Sequence, residues 1–139
     1  VKVDEWIYWQ MCGLGPMAGQ AHHFRQYAPV KIKYAIKRYT DEVNRLYGVM
    51  NKQLKKNEYL AGRYSIADMA CWGWIIPWKN QGQKLSDFPH LKRWFEAVGK
   101  RPSVIKGFAA GKEMRKQLLS ENTKEAKKAK SILFNQRSR

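Results

Sequence analysis

Tyr64-Ser65-Ile66-Ala67-Asp68-Met69-Ala70 is the stretch that decides the fold of this chain. Ser65 stands where a helix N-cap belongs, ready to accept from the Asp68 amide, and Asp68 stands at the third helical position, able to reach back to the Ser65 amide. Tyr64 and Met69 flank this pair as a hydrophobic staple would. The Asp68 carboxylate also sits at the positive end of the helix dipole. The residues that follow, among them Gly73, Trp74 and Ile76, make a helix apolar on most sides. Such a helix belongs in the middle of a bundle. Pro77, with no N–H to give, ends or bends it.

Working upstream, Ile32, Ile36, Tyr39, Val43, Leu46, Met50 and Leu54 recur every three or four residues. They predict one long amphipathic helix, with Pro29 as its start. Val3 to Phe24 reads as a first helix, interrupted at Gly13, Gly15 and Pro16, where a kink is expected. Downstream, Asn80 to Asp87 reads as a polar loop. A helix from about Pro89 carries Phe88, Leu91, Trp94, Phe95 and Val98 inward. Gly99 to Arg101 break it, and Pro102 opens a short helix with Val104, Ile105 and Phe108. Residues 112–139 hold nine Lys or Arg against three Glu, with Met114, Leu118 and Leu119 predicting a last basic helix. Ile132, Leu133 and Phe134 read as a docking patch. With no strand pattern and short links, the expectation is an all-α bundle of five to six helices, one domain over 1–139.

The composition fits. The chain has 139 residues, 44% of them hydrophobic, with six Trp and seven Tyr. That is enough for a real core. No apolar run reaches the length of a membrane helix. Cys12 and Cys71 form neither a disulfide framework nor a metal-ligand pair, and His22 and His23 are adjacent and so diverge on a helix, so no metal site is expected. A reducing, cytoplasmic setting is the simplest reading. Lys plus Arg outnumber Asp plus Glu 27 to 11, a net charge of +16. This admits a polyanion such as nucleic acid as a partner. The plainer account is a Lys-rich solvated surface.

Further motifs carry a resemblance. Trp9-Gln10-Met11-Cys12-Gly13-Leu14-Gly15-Pro16-Met17, Gly19-Gln20-Ala21-His22-His23-Phe24, Tyr27-Ala28-Pro29 and Tyr34-Ala35-Ile36-Lys37-Arg38-Tyr39 occur in order. With the capping stretch, Trp94, Arg101-Pro102-Ser103-Val104 and the ending Leu133-Phe134-Asn135-Gln136, they resemble the C-terminal helical domain of glutathione transferases. The likeness is to the Nu class of disulfide-bond oxidoreductase-like enzymes.

That resemblance implies a dimeric, glutathione-dependent transferase or disulfide reductase. It also implies an N-terminal thioredoxin-like domain that binds most of glutathione and activates its thiol. None of that domain is recognised in these residues and Val1 is not an initiator Met, so no catalytic residue is expected in this chain. By the same resemblance Arg38 contacts glutathione, its guanidinium suited to grip a carboxylate with two hydrogen bonds. The bland reading of Arg38 is a surface pairing with Asp41 or Glu42. Met11, Cys12, Pro16, Met17 and Gln20 are candidates for the wall of the electrophile site, or for core or dimer interface. Cys12, where the family usually has Gly, either faces glutathione or sits as a small buried hydrophobe. Ser65 and Asp68 are structural. The competing function is a non-catalytic basic scaffold or binding module in a larger assembly.

Overall fold

The computed structural model describes residues 1–112 together with 116, 124, 127, 128, 131 and 132. The chain divides after Val98 into two compact units. The first contains helices α1 (Lys2–Trp9), α2 (Gly15–His22), α3 (Lys33–Lys56), α4 (Ile66–Ile75) and most of α5 (Pro89–Gly99). Among the described residues there is no strand, only paired bridges in the turn from Tyr59 to Arg63.

The expected interruption between α1 and α2 takes the form of a π-turn over Gln10–Leu14. The Gly15 amide donates to the Gln10 carbonyl, five residues back, while the flanking backbone keeps right-handed helical angles. The cause is Pro16, in the first turn of α2. A proline ring clashes with the carbonyl four residues back and offers no donor, and the wider turn relieves both problems. A second π-turn, His23–Tyr27, ends this path. Ala28 then turns out of the helix at φ −55°, ψ 129°. The residue before a proline is pushed that way, so Pro29 does not start a helix. The long helix begins at Lys33 instead. Ile32 becomes its cap and lies 47% exposed, off the buried stripe of Val43, Leu46, Tyr47, Met50 and Leu54.

α2 packs on α3, and both α1 and α2 touch α4. The capping box at Ser65 is present, with the Ser65 Oγ accepting from the Ala67 amide at 3.3 Å. α4 is less enclosed than its composition predicts. Ala67, Asp68, Cys71 and Ile75 are buried, but Ile66, Met69 and Trp74 are exposed. The other partner expected in the staple, Tyr64, has its ring edge-on to Tyr59.

α5 is tied to the end of α3 by two sets of polar contacts from its first half. Asn51 Oδ1 accepts from the His90 and Leu91 amides, capping the start of α5 from a neighbouring helix. Arg93 donates to the carbonyls of Leu54 in the last turn of α3, of its C-cap Asn57 and of Glu58 just beyond. The loop between α4 and α5 is polar as expected, yet its glutamines point inward. Gln81 donates to the Trp74 carbonyl at 2.7 Å and accepts from the buried Tyr47 hydroxyl at 2.7 Å. Gln83 donates to the carbonyls of Thr40 and Gln81 and accepts from Asn44.

In the second unit, Pro102 sits in the first turn of α6 (Pro102–Ala110), where its missing donor costs nothing. On this helix Val104 is half-buried, while Ile105 and Phe108 are exposed. Of the basic helix and docking patch expected over 112–139, Ile132 is exposed. Met114, Leu118, Leu119, Leu133 and Phe134 lie outside the described residues.

Candidate functional site

The first unit carries a groove of about 510 Å³ on the side where α2 meets α4. Gln10, Met11, Gly15, Pro16, Gly19, Gln20, Ala70 and Trp74 line it. Its floor depends on Gly15 and Gly19, one helical turn apart. A Cβ on Gly19 would lie 3.7 Å from the Trp74 ring. On Gly15 it would lie 3.2 Å from the Trp74 indole nitrogen and 2.7 Å from Gln10 Nε2. The bare backbone at Gly15 therefore lets a tryptophan and a glutamine close over it.

Of the residues named from sequence as a wall, Met11, Pro16 and Gln20 line the groove. Met17 and Cys12 are not among its lining residues. Met17 is half-buried, whereas Cys12 is a free thiol exposed to solvent, which overturns the buried-hydrophobe reading of it. Cys71 is the buried thiol, and burial pushes its pKa up to about 12, with the Asp68 charge adding to the effect. Sequence reasoning missed Gln10, Ala70 and Trp74. Trp74 reads as core because nothing in an apolar run tells which face stays open. The four-residue spacing of Gly15 and Gly19 was the available signal.

Arg38 lies on the exposed side of α3. Its guanidinium stands 4.0 Å from Glu42, too far for a hydrogen bond. Arg45 takes both Glu42 oxygens instead, at 2.7 and 2.9 Å, and this bonding holds the Glu42 pKa below its ordinary value. Lys37 takes Asp41. The bland reading of Arg38 as a firm surface pair is thus only loosely met.

At the other end of α4, Ser65 and Asp68 form a closed hub. Asp68 Oδ1 accepts from the Leu60 amide at 3.1 Å and from the Trp94 indole at 2.8 Å. Asp68 Oδ2 accepts from the Ser65 amide at 3.0 Å. No cluster of metal-ligating side chains is present among the described residues. His22 packs against Tyr27, and its Nε2 is buried without a hydrogen-bond partner.

Known proteins are similar to this chain in sequence and fold. Residues 16–102 match the family described as glutathione S-transferase, C-terminal domain. The disulfide-bond oxidoreductase YfcG of Escherichia coli (strain K12) is 48% identical over 101 residues, covering 72% of this chain and 47% of that protein. Its counterpart YghU from the same organism is 39% identical over 110 residues, covering 73% and 38%. A Burkholderia graminis glutathione transferase, solved with two glutathione molecules bound per subunit, superposes with a TM-score of 0.72. It is 32% identical, over 79% of this chain and 49% of that one. The chain spans about half the length of the curated relatives it matches, or less. With the family match over 16–102, a shared fold and these identities, the chain belongs to the glutathione S-transferase C-terminal domain family.

Proposed function

We propose that this chain is the helical half of a glutathione-dependent disulfide reductase or transferase of the Nu type, acting in the cytoplasm as a homodimer. The observation that carries the reading is the 48% identity to a disulfide-bond oxidoreductase over 101 residues, 72% of this chain. The thiol-activating groups come from a thioredoxin-like domain joined to or assembled with this chain. The helical half supplies the groove as the wall of the second-substrate site, and Arg38 as a contact to glutathione.

The chemistry is thiol–disulfide exchange. A glutathione thiolate attacks one sulfur of the substrate disulfide, the S–S bond breaks, and the departing thiolate takes up a proton. A second glutathione thiolate attacks the glutathione sulfur of the mixed disulfide. It releases the other substrate thiol and leaves oxidised glutathione. Two glutathiones thus reduce one disulfide. Two bound glutathiones per subunit in the Burkholderia graminis relative suit this stoichiometry.

Arg38 fits its role because Arg45 already satisfies Glu42, which leaves the Arg38 fork able to grip a carboxylate. In the protein assembled with its thioredoxin-like domain, glutathione should reduce bis(2-hydroxyethyl) disulfide; no turnover would refute the assignment. In the same protein Arg38→Ala should weaken glutathione binding roughly tenfold, as loss of a charge-assisted hydrogen bond does. Arg38→Lys should recover only part of that loss, because an ammonium lacks the fork. Unchanged affinity in Arg38→Ala would remove Arg38 from the site.

A further inference from the structure

Gln10 is 4% exposed, yet its side-chain amide lines the groove. No hydrogen bond to that amide is present among the described residues. The residue is buried, but its amide atoms are not among the enclosed side-chain atoms left without a partner, so they open onto the groove and meet solvent there. The other two buried glutamines are bonded within the fold instead. Gln81 both donates and accepts, and so does Gln83.

Trp74, 36% exposed, likewise makes no hydrogen bond with its indole among the described residues. Trp72 donates its indole N–H to the Phe95 carbonyl at 3.0 Å, and Trp94 donates to Asp68 at 2.8 Å. The Trp74 indole N–H has no such acceptor among the described residues, although the ring stands at the groove. Gln10 Nε2 and Trp74 Nε1 also converge on one point. A Cβ on Gly15 would meet the first at 2.7 Å and the second at 3.2 Å. The π-turn that begins at Gln10 puts this side chain back over Gly15, five residues on. Two N–H donors therefore stand near one point, with no oxygen of the described residues bonded to either; the Gln10 carbonyl, 3.2 Å from the same point, is taken by the Gly15 amide. Around them the groove offers Met11, Pro16, Gly19 and Ala70, which are apolar or bare, and the polar Gln20.

We infer that Gln10 and Trp74 are a specificity pair that binds a carboxylate of the second substrate, selecting acidic disulfides over purely apolar ones. This deepens the reading given under Proposed function and rests on it for the reaction, but not for the binding. One oxygen of the carboxylate, or one on each donor, would replace the solvent that these N–H groups meet in the open groove. The substrate's carbon chain would lie along Met11 and Ala70. Trp74 and Gln10 position the substrate and take no part in moving electrons.

The test compares two disulfides with the same reacting sulfurs, 3,3′-dithiodipropionate and diethyl disulfide. Binding of each is titrated calorimetrically on the protein assembled with its thioredoxin-like domain, and glutathione-dependent turnover is followed separately. Gln10→Leu keeps the volume and removes the donor. It should weaken dithiodipropionate binding about tenfold, the size of one lost hydrogen bond. Diethyl disulfide should bind Gln10→Leu as it binds the wild type. Trp74→Phe removes the indole N–H while keeping an aromatic ring, and should reproduce the selective loss. Equal losses for both disulfides, or a wild type that binds the two alike, would overturn the pair. Selective, Gln10-dependent binding without any turnover would leave the pair standing and sink the reductase reading instead.

Discussion

The two ends of α4 treat polar groups in opposite ways. At its start, Asp68 is fully buried and its oxygens meet the Leu60 and Ser65 amides and the Trp94 indole. Toward its end, Trp74 stands at a groove with its indole N–H unmatched, beside the unmatched amide of Gln10. One helix thus carries a closed hub and an open one. A closed hub fixes a fold, because every atom in it already has its partner. An open hub suits a ligand, because its partners must come from outside.

The difference is sharpest in what removal does. Asp68→Ala strands the Leu60 amide and the Trp94 N–H in the core and opens the start of α4. A stranded buried donor costs about 1–3 kcal/mol, and bonds to a charged acceptor are stronger still, so a total near 3–5 kcal/mol is expected. Urea unfolding followed by circular dichroism would measure it. A loss under about 1 kcal/mol would mean that the hub is not what ties the capped helix to α5.

Gly15→Ala acts at the open end. Its new methyl would meet Gln10 Nε2 at 2.7 Å, and the Gln10 carbonyl and Trp74 indole at 3.2 Å. The Gln10 amide and the exposed Trp74 ring can shift, but the carbonyl belongs to the π-turn. Overpacking of this kind costs about 1–3 kcal/mol. Unlike the change at Asp68, it should also disturb ligand binding in the groove. Thermal unfolding gives the first effect and titration with dithiodipropionate the second. An alanine tolerated in both assays would show that Trp74 does not need the bare backbone.

The same contrast explains how far the residues alone could be read. The capping box, the stop at Pro77 and the buried face of α5 are local, each set by residues within a few positions, and each is where the spacing puts it. Ile32 and Pro29 misled because the stripe continues in sequence past the point where Ala28, constrained by the proline after it, leaves the helix. The groove was half legible. Met11, Pro16 and Gln20 line it, and the glycine spacing hints at a close approach. Gln10 and Trp74 were not legible, because their meeting depends on a π-turn that shifts the register by one residue and on α4 lying against α2. The buried Gln81 and Gln83 were hidden for a related reason: a polar loop looks solvated until its partners, far along the chain, are known.

His22 offers the smallest and most discriminating comparison. Its Nε2 also lacks a partner, but it is buried, with the ring against Tyr27. Burial lowers its pKa from the ordinary value of 6.5, so the fold favours the neutral ring. The sign follows from that direction. The unfolded chain binds the proton more readily, so the neutral ring's contribution is fully present above pH 6.5 and is lost as the pH falls below it. Between neutral pH and about pH 5 the wild type should therefore lose slightly more thermal stability than His22→Gln, which cannot titrate. The carboxylates common to both proteins cancel in the difference. Parallel slopes for the two would mean that the ring is solvated in both states, and would place the His22 side chain with the open hub rather than with the packed interior.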